Sequence, residues 1–257
     1  MRRHLVGALL LAAVLAAGCS PQAERAVLYQ TATINMLLEG LYEGNVTLEE
    51  LARHGDVGIG TFDALDGELI MLDGRVYQVR ADGKVYRPGP QATTPFATVT
   101  YLRPDKFISI DGAVDLGQLE ALLDQAAPLK NLPLAVKITG RFKYVKTRSV
   151  PRQEKDRTRL VEVTKQQPIF EFRDAAGTCV GFRCPDYMKG LNVPGCHFHF
   201  LTADRTGGGH VLELEIEKVQ AEALYVSEIH VSLPRTETFG KAGLGGDRAA
   251  ELQRAEK

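Results

Sequence analysis

A chain of 257 residues is long enough for one large domain or for two small ones sharing a core. The composition is that of an ordinary globular protein, 44% hydrophobic and 25% charged, with no tryptophan. Its 31 basic and 32 acidic residues leave a net charge of -1, so the chain carries no overall electrostatic footprint for nucleic acid.

Arg2 and Arg3 precede a continuous apolar run from Leu5 to Ala17, shorter than a permanent membrane span and laid out like a secretory leader. The run ends in Leu15-Ala-Ala-Gly-Cys19, which resembles the lipobox of bacterial lipoproteins. That pattern predicts a signal peptide over 1–18, cleavage before Cys19 and lipid on that cysteine. A polar tether over 19–26 would then lead to a domain over 27–257 on the periplasmic or cell-surface side. Cys179, Cys184 and Cys196 remain, an odd number that allows one disulfide with a free thiol or three free thiols.

Ile34, Leu37, Leu38 and Leu41 recur at helical spacing and predict a helix within Val27–Tyr42. A second is expected from Thr47, where Thr47 and Glu50 form a capping box, to Gly55. Asp73-Gly74 and Asp82-Gly83 read as turns between strands at Glu68–Leu72, Val76–Arg80 and Val85–Arg87. Phe96–Leu102 and Phe107–Ile110 are β-rich, and Asp115 is placed to cap a helix carrying Leu116, Leu119, Leu122 and Leu123. A weak sub-boundary falls near 129–133. Leu134–Lys146 alternates as a strand, and Arg152–Arg159 reads as a charged, solvated loop. Further strands are expected at Leu160–Val163, Ile169–Phe172, Val180–Arg183, His197–Leu201, His210–Val219 and Tyr225–Leu233, with a helix from Asp247 to the end. Many strands with few helices predict an α+β fold of mixed β-sheets or a partly closed barrel.

Three of the six histidines fall close together, at 197, 199 and 210. Residues two apart in a strand share a face, so His197 and His199 point the same way while Phe198 and Phe200 occupy the other. The turn-forming stretch Asp204–Gly209 sends the chain back antiparallel and brings His210 to open the partner strand. Three imidazoles then converge at one end of a hairpin, the donor set of a catalytic zinc site with a position left open. Other divalent transition metals suit the same ligands. His4 lies in the leader, His54 at a helix end and His230 in a strand, and none of these calls for chemistry.

The run Gly177-Thr-Cys-Val-Gly-Phe-Arg-Cys-Pro-Asp-Tyr-Met-Lys-Gly-Leu-Asn-Val-Pro-Gly-Cys-His-Phe-His-Phe-Leu-Thr-Ala-Asp-Arg-Thr-Gly-Gly-Gly-His210 resembles the signature of bacterial acetolactate decarboxylases. Gly60-Thr-Phe-Asp-Ala-Leu-Asp-Gly-Glu-Leu-Ile-Met-Leu-Asp-Gly74, Pro95-Phe-Ala-Thr98 and Lys146-Thr-Arg-Ser-Val-Pro151 are similar to further blocks of that family, in the same order. The resemblance implies zinc on His197, His199 and His210, with Glu68 and Arg148 lining the site. It also implies a glutamate returning from the C-terminal tail, matched here to Glu256 with Glu251 as the runner-up. A homodimer is implied as well.

The implied reaction converts 2-acetolactate to acetoin and carbon dioxide, the metal stabilising an enediolate as the carboxylate leaves. Arg148 is expected to orient the substrate, and Glu68 or Glu256 to deliver the proton. Two rival readings stand beside this one. A cupin-like dioxygenase or isomerase also uses His-x-His on a strand, but its glutamate ligand usually follows within a few residues, where this chain runs Phe200-Leu-Thr-Ala-Asp204. A non-catalytic metal-binding surface lipoprotein would fit the lipobox.

Overall fold

The computed structural model describes residues 26–154 and 157–256; the leader, Cys19 and the tether up to residue 25 lie outside the described residues. Along the chain, β1 (Val27–Thr31) is followed by α1 (Ile34–Leu38), β2 (Val46–Thr47), α2 (Leu48–Leu51), β3 (Val57–Thr61), β4 (Glu68–Leu72), β5 (Arg75–Val79), β6 (Val85–Tyr86), β7 (Thr93–Thr94) and β8 (Ala97–Thr100). Then come β9 (Lys106–Asp115), α3 (Leu116–Ala126), β10 (Leu134–Arg148), α4 (Leu160–Val163), β11 (Ile169–Cys184), β12 (Gly195–Thr202), β13 (Gly208–Tyr225), β14 (Glu228–Ser232), α5 (Glu237–Lys241) and α6 (Ala249–Glu256).

The strands form two principal sheets. One runs in the order β14-β1-β8-β3-β4-β5-β6. In the other, β10 pairs with β11 and also with β13, while β12 bridges β11 and β13, so four strands close into a ring with β9 added on the outside of β13. The α+β expectation with a partly closed barrel therefore holds. The sheets meet through an apolar layer in which Leu28, Ile70 and Val79 from the first pack with Val180, Phe182 and Leu201 from the second. A separate core inside the ring gathers Val136, Phe142, Phe200 and Ile216 under the Leu119 and Leu123 side of α3. Asp115 caps that helix through a full capping box with Gln118.

Two elements differ from the sequence reading. Within Val27–Tyr42 only Ile34–Leu38 is helical, because Val27–Thr31 forms β1 between β14 and β8. Four of those five strand residues are buried, so the two-residue alternation that would reveal a strand is missing. Leu160–Val163 is a single helical turn and not a strand. Its Leu160 and Val163 pack with Leu252 and Ala255 of α6, and a four-residue apolar stretch is too short for periodicity to choose between the states. Elsewhere strands are longer than their patterns suggest. Ile169–Phe172 and Val180–Arg183 are two parts of the 16-residue β11, and Phe107–Ile110 lies in the first half of a ten-residue β9. Thr47 accepts from the Glu50 amide, and the helix it opens ends at Leu51, short of Gly55.

Candidate metal centre

The histidine cluster follows from strand register. His199 stands directly opposite His210 in the β12–β13 pair, and His197 shares the His199 side two residues earlier. Gly209 permits this close crossing. Its φ of +135° lies in the range glycine favours, and a Cβ there would sit 2.3 Å from the Arg148 carbonyl oxygen. On the other flank of β13, Arg148 ends β10 opposite His210. Glu68 opens β4 after Gly67, another left-handed glycine at φ +89°, whose carbonyl accepts from the Thr61 hydroxyl. Glu256 arrives on the last turn of α6.

The three imidazoles offer nitrogens that all lie within 4.8 Å of one another, and theirs is the one such group of three or more ligand residues found among the described residues. Their protonation is set by carbonyls that can only accept. His199 Nδ1 lies 2.9 Å from the Leu69 carbonyl oxygen and His210 Nε2 lies 3.0 Å from that of Glu256. Those nitrogens therefore carry the protons, leaving lone pairs on His199 Nε2 and His210 Nδ1. His210 Nδ1 is 3.0 Å from His197 Nε2, a distance at which the pair shares one proton or turns both lone pairs toward a cation. Backbone carbonyls fixing ring tautomers in this way are a recurrent support of metal-ligating histidines.

Burial sets the charge states. It pushes His197 down to about 3, with the Arg148 guanidinium adding to the effect. His199 and His210 fall well below the usual imidazole range, mainly through burial. All three are thus neutral ligands at physiological pH. Burial also raises Glu68 to about 7, against the pull of Arg148, and raises Glu256, which Arg148 again opposes.

Arg148 ties the carboxylates to the site. Its Nη1 donates to Glu68 Oε1 at 3.1 Å, and its Nη2 donates to the Ala255 carbonyl at 3.0 Å and lies 3.8 Å from Glu256 Oε2. Glu68 Oε2 is 3.6 Å from His199 Nε2. Glu256 Oε2 is 3.5 Å from His197 Nε2 and 3.7 Å from His210 Nε2, yet it is buried without a hydrogen-bond partner. An orphaned carboxylate oxygen beside three neutral imidazoles fits a divalent transition metal. The runner-up Glu251 points away, to Arg159 at 2.8 Å. A cavity of about 920 Å³ opens against His197, His210 and Glu256, walled by Val193, Cys196 and Leu252. Sequence reasoning did not find the Leu69 and Ala255 carbonyls or these wall residues, since no side-chain pattern marks them. Cys179, Cys184 and Cys196 are all free thiols, and burial raises each of them.

A β-ring that gathers three neutral histidines and two carboxylates, with His197, His210 and Glu256 facing one cavity, defines a metal-dependent enzyme of the α+β class. The family model for alpha-acetolactate decarboxylase matches residues 28–246, and the chain belongs to that family of carboxy-lyases. An alpha-acetolactate decarboxylase of Methanosarcina mazei is 48% identical over 90% of this chain and 80% of its own length. One of Bacillus subtilis is 38% identical over 89% and 90%. The crystal structure of alpha-acetolactate decarboxylase from Bacillus subtilis strain 168 superposes with a TM-score of 0.87, covering 90% of this chain and 99% of that one at 38% identity. A Staphylococcus aureus protein described as similar to alpha-acetolactate decarboxylase gives 0.86 at 34% identity, covering 90% and 100%. Glu256 lies beyond the span the family model matches.

Replacing Arg148 by methionine leaves Glu68 and Glu256 buried without their cation and should cost about 3 kcal/mol in denaturant unfolding of the metal-free protein. Adding Glu68→Leu should cost less than the sum of the two single changes, because they share one interaction. Strict additivity would show that the pair is not coupled.

Proposed function

We propose that this protein decarboxylates 2-acetolactate to acetoin and carbon dioxide at the site formed by His197, His199 and His210, with zinc as the metal. The observation that carries the reading is the convergence of those three neutral imidazoles with Glu68, Arg148 and Glu256, beside a cavity that His197, His210 and Glu256 line, in a chain of this family. Bound there, a zinc ion would supply Lewis-acid polarisation of the substrate ketone and hydroxyl oxygens.

The chain's own groups account for the rest. In 2-acetolactate the bond to the carboxylate carbon breaks, its electron pair passes into the neighbouring ketone, and the carbon left behind must take a proton. Arg148 is the buried cation placed to orient an anionic substrate, and its existing bonds to Glu68 and the Ala255 carbonyl keep it from clamping the departing carboxylate too tightly. Glu68, raised to about 7 by burial, holds a proton over much of the physiological range and is the first candidate donor. Glu256 is the second, its raised carboxyl facing two of the histidines. A donor fixed on one side of the planar intermediate would make a single enantiomer of acetoin. Val193, Cys196, Phe198 and Leu252 give part of that cavity an apolar lining, which disfavours water as a competing proton source.

Incubating the protein with racemic acetolactate should yield chiral acetoin. Chelator should abolish this and zinc restore it, while His199→Ala should lose both the metal and the activity. Glu256→Gln should lower kcat by about 100-fold with the fold intact. Activity in metal-free protein sinks the scheme, and an unchanged rate in Glu256→Gln removes that residue from it.

The sequence pattern alone supports the remaining parts of the reading: a leader over 1–18, lipid on Cys19, a tether over 19–26 and a domain over 27–257 held outside the cytoplasmic membrane. Family resemblance supports a homodimer. Cys19→Ala should shift the protein from the membrane to the soluble fraction on cell fractionation and leave a species that sediments as a dimer. Unaltered membrane association would refute the anchor, and a monomer would refute the assembly.

A further inference from the structure

At the turn end of the β12–β13 hairpin, away from the histidines, lies a second cavity of about 550 Å³ lined by Arg75, Arg87, Arg205, Tyr77 and Asp73. Three chain segments supply its guanidinium groups. Arg75 and Tyr77 are two apart on β5 and share a face. One step past the β5–β6 register pair Gln78↔Tyr86, Arg87 comes opposite Tyr77, with its guanidinium carbon 4.9 Å from the ring centroid. Arg205, from the hairpin turn, places its own 5.4 Å from the same ring.

These cations lack the partners that arginines elsewhere in the molecule possess. Arg53, Arg80, Arg141, Arg159 and Arg173 each reach a carboxylate, whereas no ion pair joins Arg75, Arg87 or Arg205 to any described residue. Arg205 Nη1 is buried with no hydrogen-bond partner, a costly state for a charged donor. Nearby acids are engaged elsewhere. Asp204 accepts from the Thr202 and Thr206 hydroxyls at 2.6 and 2.9 Å, and Asp73 lies 3.9 Å from Lys137. Arg205 itself sits at φ +62°, a left-handed conformation uncommon for a long side chain, held by the hydrogen bond its backbone N–H donates to the Thr202 carbonyl.

We propose that this pocket is an oxyanion-binding site that takes a phosphate group through the guanidinium forks of Arg75, Arg87 and Arg205. Against the single lining carboxylate of Asp73, the three arginines leave two positive charges uncompensated, which matches a phosphate dianion. The Tyr77 ring provides an apolar platform that keeps two of the forks close without neutralising them. The phosphate could be free, on a small ester, or on a lipid headgroup, since all present the same oxygens to the arginines.

Titration of the Cys19→Ala protein with inorganic phosphate, followed by calorimetry, should give saturable binding. The triple change Arg75→Gln/Arg87→Gln/Arg205→Gln should weaken it about tenfold or more while acetoin formation stays unchanged. The double change Arg75→Gln/Arg87→Gln, confined to exposed residues, should show an intermediate loss if the turn does not tolerate the third. Flotation with phosphatidylglycerol vesicles, against phosphatidylcholine vesicles, separates the sources: binding to the former that the triple change removes assigns a lipid headgroup. The proposal is overturned if neither phosphate nor phosphatidylglycerol binds saturably, or if the variants bind as the parent does.

Discussion

The buried guanidinium of Arg148 joins parts of the chain that have no other reason to meet at one point. It ends β10 opposite His210 in the ring, donates to Glu68 at the start of a strand in the other sheet, and donates to the Ala255 carbonyl of the C-terminal helix. Few side chains can do this: a planar fork with several donors reaches a carboxylate and a carbonyl together, where an ammonium would be a single point of charge. The cluster depends on that anchor, because the helix turn it holds brings in both the carbonyl that fixes the His210 tautomer and the Glu256 carboxylate.

Charge bookkeeping around Arg148 explains why such a centre is costly without a cation. With Glu68 and Glu256 ionised against one guanidinium and three neutral imidazoles, the buried cluster is left negative. Burial opposes this by raising both carboxyls and by keeping the imidazoles uncharged. A divalent cation reverses the balance, giving the orphaned Glu256 oxygen and the free imidazole lone pairs a common partner. The same features suit a proton donor: a carboxyl that burial holds protonated near neutrality can give its proton up when negative charge develops beside it.

The two ends of the β12–β13 hairpin solve opposite electrostatic problems. At one end, neutral nitrogens and carboxylates gather in a buried pocket. At the other, the turn holds Arg205 over Tyr77 beside two further arginines, exposing unpaired positive charge at the surface. Between them Phe198 and Phe200 belong to the ring's interior core, so the strands that link the two ends are held by packing on the face away from the histidines.

Short-range patterns determined much of this protein. The alternation of His197 and His199, the turn at Asp204–Gly209 and the return at His210 placed three ligands together, because strand periodicity and turn chemistry are local. The Asp115 cap and the hairpins at Asp73-Gly74 and Asp82-Gly83 were legible for the same reason. Val27–Thr31 was not: a strand buried on both faces loses its alternation, and its partners β14 and β8 lie far along the chain. Leu160–Val163 is helical because it packs on α6, a contact that local spacing does not encode. Glu68, Arg148 and Glu256 entered the sequence reading through family resemblance alone. Only the tertiary structure brought them together at the histidines, since each sits on a different element and shares no periodicity with the others.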